Sequence, residues 1–193
     1  FSLLNQFNFV DRKLIQDNFR NTLQIVKFAN SLLQNCEIYN LDVKRVNKIW
    51  EKPAVIETLN YNQIIEFIKH SFQLNQKICI AYSDTKHINK IINQFKIKDN
   101  EYYSDIETDK HFNNKYKLFF FNYVNIKWLE FENIILLDFD KLLWNWFTDF
   151  DIKLAYIWVT RAIKKLYIFC EKTVLNNLKI DEKLYEIYSE KIN

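Results

Sequence analysis

The sequence predicts an α/β domain, a mostly parallel sheet flanked by helices, and three observations lead there. Short β-branched or aromatic runs alternate with helix-spaced segments along the 193 residues, a pattern that argues parallel strands joined by right-handed crossovers. The run ENIILLDF at 132–139 is apolar without alternation, as suits a strand covered by helices on both faces. A composition of 49% hydrophobic and 17% aromatic residues supplies enough apolar surface for one full core.

The elements follow in order. Leu23, Ile25, Val26, Phe28, Ala29, Leu32 and Leu33 recur at helical spacing, so 22–34 reads as a helix, with Thr22 placed to cap it. AVIET at 54–58 follows Pro53 and reads as a strand, and Tyr61–Leu74 as an amphipathic helix. KICIAYS at 77–83 is a buried strand, after which Asp84 or Thr85 caps a helix running to Phe95. The polar stretch 97–116 reads as a long loop or short insertion. KLFFFNY at 117–123 and ENIILLDF at 132–139 are strands, a helix lies within 147–164, KLYIFCE at 165–171 is the last strand, and 173–190 reads as helical.

Charge and cysteine content exclude more than they assign. A net charge of +3, from 27 basic and 24 acidic residues, is too small to argue nucleic-acid binding; only a local surface can be basic. Lys44, Arg45 and Lys48 cluster, as do Lys164 and Lys165, which is the ordinary look of a solvated face. Cys36, Cys79 and Cys170 form no CxxC pair, against a zinc site or disulfide frame. No apolar run reaches the ~18 residues of a membrane span, so the chain is expected to be soluble and cytoplasmic. His70, His87 and His111 lack ligand spacing and read as surface or loop residues, and Asp138 and Asp140, at a strand end, as structural.

Three segments carry the functional signal. LIQDNFRNTLQIVKFANSLL at 14–33, YVNIKWLEFENII at 123–135 and AYIWVTRAIKKLYI at 155–168 resemble, in order, motifs IV, V and VI of the UvrD/Rep group of superfamily 1 helicases; KICIAYSDTKHINKIINQF at 77–95 resembles the strand and helix between them. The resemblance covers Leu14 to Cys170 and implies a RecA-like, P-loop NTPase-type fold lacking the P-loop half: residues 1–193 would be one domain, the second of two motor domains. With no Gly, the chain cannot contain the Gly-x-x-x-x-Gly-Lys-Ser/Thr loop that cradles phosphate. It starts at Phe1 and has no Met, so it is expected to be a fragment of a longer protein, inactive alone.

The resemblance implies an ATP-dependent DNA helicase or translocase, with ATP and Mg²⁺ held mainly by a first motor domain. Its partners would be that domain and single-stranded or partly duplex DNA, with no membrane. By motif, Arg20 in NFRNT and Arg161 in VTRA are the arginines that reach the transferred phosphate, where a permanently charged, bidentate guanidinium stabilises developing charge. Glu130 matches the motif V glutamate near the ribose, Lys127 fits the same motif toward the interdomain phosphate region or the nucleic-acid backbone, and Thr160 a bridge toward the nucleic-acid path or a helix cap. Asn122 and Val124 replace the Thr and His that many relatives carry, so a His-linked coupling to DNA is unsupported. A degenerate binding module and the helicase part of a helicase-nuclease stand as alternatives.

The tryptophans add an expectation of their own. A domain of this size ordinarily carries about 7% glycine. Trp50, Trp128 and Trp158 fall where relatives have Gly, and Trp144 and Trp146 in a turn-like stretch. The pattern suggests UGA codons meaning Gly read as Trp, with Asn serving at some left-handed positions.

Overall fold

A computed structural model describes residues 20–34, 36, 48–57, 62, 64–66, 68–69, 77–98, 100–106, 111–112, 115–143 and 148–188. In chain order these form α1 (Leu23–Leu33), β1 (Ala54–Ile56), β2 (Ile78–Tyr82), α2 (Thr85–Phe95), β3 (Tyr102–Ser104) and β4 (Leu118–Asn122). There follow α3 (Tyr123–Ile126), β5 (Phe131–Leu136), α4 (Phe139–Leu143), α5 (Asp149–Val159), β6 (Ala162–Phe169), α6 (Lys172–Asn177), a 3-10 turn (Glu182–Leu184) and β7 (Glu186–Ile187). The seven strands form one sheet in the order β3-β4-β2-β5-β6-β1-β7, and every pair in it is parallel. This is the RecA-like α/β arrangement.

Strand periodicity divides the core between the two faces of the sheet. Cys79, Ala81, Phe119, Phe121, Ile134, Leu136, Leu166 and Ile168 pack on one side, against Ile25, Phe28 and Leu32 of α1 and Ile152, Ala155 and Val159 of α5. Ile78, Ile80, Leu118, Phe120, Ile135 and Phe169 pack on the other, against Ile88 and Ile91 of α2 and against Ile64 and Ile68, which are helical. The central strands β2 and β5 are therefore apolar at consecutive positions, as the sequence run at 132–139 requires.

Several expectations are corrected. The stretch 97–116 contains β3, which pairs with β4 at the sheet edge: Tyr102 and Ser104 are buried and Tyr103 only partly, an alternation too short to read in a polar context. The helix within 147–164 ends at Val159, so Arg161 sits in the turn before β6 and not on a helix. Helix 173–190 shrinks to α6; the chain turns at Lys179 and adds β7 to β1. Thr22 occupies the N-cap position of α1, but its buried hydroxyl makes no hydrogen bond. Asp84 does cap α2, accepting from the Lys86 amide at 2.9 Å. Residues 14–19, Lys44, Arg45, His70, Trp144 and Trp146 lie outside the described residues.

Left-handed backbone falls on Lys96 (φ 49°), Asp138 (φ 54°) and Lys179 (φ 53°), and on no described asparagine or tryptophan. A Cβ at such positions costs on the order of 1 kcal/mol that glycine avoids. Lys96 is exposed and closes α2 in αL geometry. Lys96→Gly is therefore expected to raise stability by about 1 kcal/mol in urea unfolding.

Candidate functional site

The motif V segment begins where β4 ends. The Asn122 side chain caps α3 by accepting from the Val124 amide at 3.0 Å, and the Leu129 amide closes the helix onto the Ile126 carbonyl at 2.9 Å. The four residues 127–130 then lead into β5, where the Phe131 amide donates to the Arg161 carbonyl at 3.1 Å. The helix that leads into the 155–168 segment, α5, starts from a capping box: the Asp151 amide donates to Thr148 Oγ1 at 3.2 Å, and the Thr148 amide donates to the Asp151 carboxylate at 3.3 Å. At its other end the Thr160 hydroxyl donates to the Ile157 carbonyl at 2.9 Å, so Thr160 caps its own helix.

Asn21 joins the motif IV segment to this turn. Its side-chain amide donates to the Thr160 carbonyl at 2.9 Å and to the Ala162 carbonyl at 2.6 Å, the two that flank Arg161. Asn21 is 2% exposed, so both bonds are shielded from water. Such a clamp holds Arg20 and Arg161 side by side. Arg20 Nη1 lies 2.9 Å from Glu130 Oε1. Arg161 donates from Nε to the Ile157 carbonyl at 3.1 Å, from Nη1 to the Lys127 carbonyl at 3.1 Å and from Nη2 to Thr160 Oγ1 at 3.5 Å. Burial, then the neighbouring Arg20 charge, push the Arg161 guanidinium below the usual arginine value, and Glu130 opposes them.

Arg20, Lys127, Glu130, Thr160 and Arg161 thus come together at the amino ends of β5 and β6. Two guanidinium groups share the place with one carboxylate, and Lys127 enters it through its backbone carbonyl. Lys127 Nζ stands 5.5 Å over the Trp128 ring, and that indole is 81% exposed. Sequence reasoning missed Asn21, although it lies inside the NFRNT segment; an asparagine two residues before a helix has no special signature. The Trp50 amide donates to Gln24 Oε1 at 2.9 Å, and the ring is half exposed. Lys164 and Lys165 are engaged by Glu132 at 2.6 Å and Glu51 at 3.1 Å.

A second polar cluster occupies the opposite end of the sheet, after β2 and β5. Asp138, fully buried and left-handed, receives Lys141 Nζ at 2.8 Å and the Ser83 hydroxyl at 3.3 Å, and His87 Nε2 lies 3.4 Å from it. His87 is accordingly no ordinary surface residue: its side chain is 18% exposed. No group of three His, Cys, Asp or Glu among the described residues has the geometry of a metal site. Burial lowers His87 from its ordinary 6.5, against the pull of Asp138 and with help from Lys141 and Lys90. The unfolded chain therefore binds the proton better, so this contribution to stability is complete above pH 6.5 and is lost as pH falls through the folded value. His87→Gln is expected to flatten that part of the profile in urea unfolding across the histidine range.

No protein-family model matches the sequence, and no curated protein matches it. Among solved structures, the crystal structure of the C-terminal domain of a possible DNA helicase from Lactobacillus plantarum WCFS1 superposes with a TM-score of 0.63. The match covers 89% of this chain and 99% of that one, at 16% sequence identity, and it shows a shared fold. No described helix is long and apolar enough to cross a membrane.

Proposed function

We propose that this chain is the C-terminal motor domain of an ATP-dependent DNA helicase or translocase of the UvrD/Rep kind. The observation that carries the reading is the Asn21 clamp, which brings the arginines of motifs IV and VI together with the motif V glutamate. Arg20 lies more than a hundred positions from both Glu130 and Arg161, and the structural likeness to a possible helicase's C-terminal domain supports the same assignment.

In this reading ATP and Mg²⁺ sit on the first motor domain, whose P-loop cradles the phosphates and whose acidic strand end holds the metal. Arg20 and Arg161 approach the γ-phosphate across the closed cleft. Phosphoryl transfer spreads charge over the equatorial phosphate oxygens, and permanently charged forks are suited to stabilise it. Glu130 holds Arg20 before closure and accepts from the ribose afterwards; Lys127 stands on the phosphate side. Because Arg161 bonds the Lys127 carbonyl, its movement toward phosphate moves the motif V loop. The other end of that segment, α3, lies at the carboxyl ends of the strands, where single-stranded DNA would pass, so cleft closure is coupled to the strand.

ATP hydrolysis by the complete protein, with and without single-stranded DNA, tests this reading. DNA-stimulated turnover is expected; a complete protein without ATPase activity removes it. Two observations favour a second reading, a non-catalytic binding module: both arginines already have partners within the domain, and an indole stands in the motif V loop.

A further inference from the structure

Trp128 is the most exposed large apolar side chain among the described residues, at 81%, and it stands beside a cluster of cations. Its position follows from backbone geometry. Arg161 Nη1 is 3.1 Å from the Lys127 carbonyl oxygen, which puts the Trp128 Cα within about 6 Å of the guanidinium. The neighbouring Leu129 amide ties the loop to α3, and Glu130 is held by Arg20 at 2.9 Å, so the indole projects from a segment fixed on both sides. Lys127 covers one ring face at 5.5 Å. The buried Trp158, by contrast, packs 4.5 Å from the Tyr123 ring.

An exposed indole beside guanidinium and ammonium groups matches one ligand chemistry, a flat aromatic ring joined to phosphate. Stacking on the ring and charge pairing with the cations would act on the same molecule, and every base has a π-face to stack. Resting on the nucleotide-site reading above, we propose that Trp128 is the stacking platform for a nucleobase whose phosphate engages the cations around Arg161. The base comes from a free nucleotide or from a nucleic-acid strand, and the two sources separate experimentally.

The test is calorimetric titration of the protein, as wild type, Trp128→Ala and Trp128→Phe, with ATP, inorganic tripolyphosphate, a thymidine oligonucleotide and an abasic oligonucleotide of equal length. Trp128 is exposed, so neither substitution threatens the core. The base-bearing ligand of one pair is expected to bind about ten-fold tighter than its base-free partner. That preference should vanish in Trp128→Ala and persist in Trp128→Phe. A preference in the ATP pair identifies a nucleotide, and one in the oligonucleotide pair a strand. A base-free ligand that binds as tightly as its base-bearing partner overturns the stacking role and leaves the arginine reading, which ATP turnover tests, standing. Absence of binding by both base-bearing ligands likewise overturns the stacking role, whereas the arginine reading falls only if Arg161→Ala retains turnover. A glycine codon at position 128 also overturns the proposal.

Discussion

Arg161→Ala in the complete motor is expected to lower ATP turnover by roughly 10³–10⁵-fold while leaving ATP binding nearly unchanged, the range for loss of a trans-acting arginine. The argument is one of timing. A guanidinium that meets the γ-phosphate only after cleft closure contributes to the transition state more than to the ground state, and only such a difference accelerates chemistry. The substitution also deletes bonds to the Ile157 and Lys127 carbonyls, so a parallel unfolding curve must show that the domain still folds. Arg161→Lys separates charge from geometry: an ammonium keeps the charge but cannot reproduce the fork, and most of the loss should remain. Turnover within a few-fold of wild type in Arg161→Ala would refute the assignment.

The second large effect concerns Trp158. It is 6% exposed, its indole N–H donates to the Tyr123 carbonyl at 3.0 Å, and the two rings meet at 4.5 Å. Tyr123 in turn donates its hydroxyl to the Leu137 carbonyl at 2.7 Å. Trp158 thereby ties the motif VI helix to the motif V helix and to the end of β5. Trp158→Gly removes the ring, its hydrogen bond and the helix-favouring side chain at once. A loss of about 3–5 kcal/mol in urea unfolding is expected. The codon at position 158 in the source DNA decides separately whether tryptophan or glycine stands there. Backbone geometry gives no reason for glycine at Trp50, Trp128 or Trp158, since none has positive φ.

How much was legible depended on how local the determining interactions are. Apolar runs such as KICIAYS and ENIILLDF announce buried strands because every position of such a strand is covered. The parallel sheet follows from their alternation with helices. β3 and β7 were not legible, being edge strands of three and two residues whose formation depends on pairing with β4 and β1. The helix expected within 147–164 is α5, but its end was not legible, because Thr160 and Arg161 carry no breaker and the helix stops where Phe131 recruits the Arg161 carbonyl. The site residues came from the motif resemblance alone. What drew them together, the Asn21 amide on the carbonyls flanking Arg161, spans more than a hundred residues and leaves no periodic trace. His87 and Asp138, 3.4 Å apart, belong to segments that look unrelated in sequence.

The most direct measurement compares the affinity of the complete protein for ATP with its affinity for a nucleoside diphosphate plus metal fluoride, a mimic of the transferring phosphoryl group, in wild type and Arg161→Ala. If this domain supplies its arginine to the transition state, the mimic should lose about 10³-fold in affinity and ATP only a few-fold. Equal losses for both ligands, or none for either, would contradict the account.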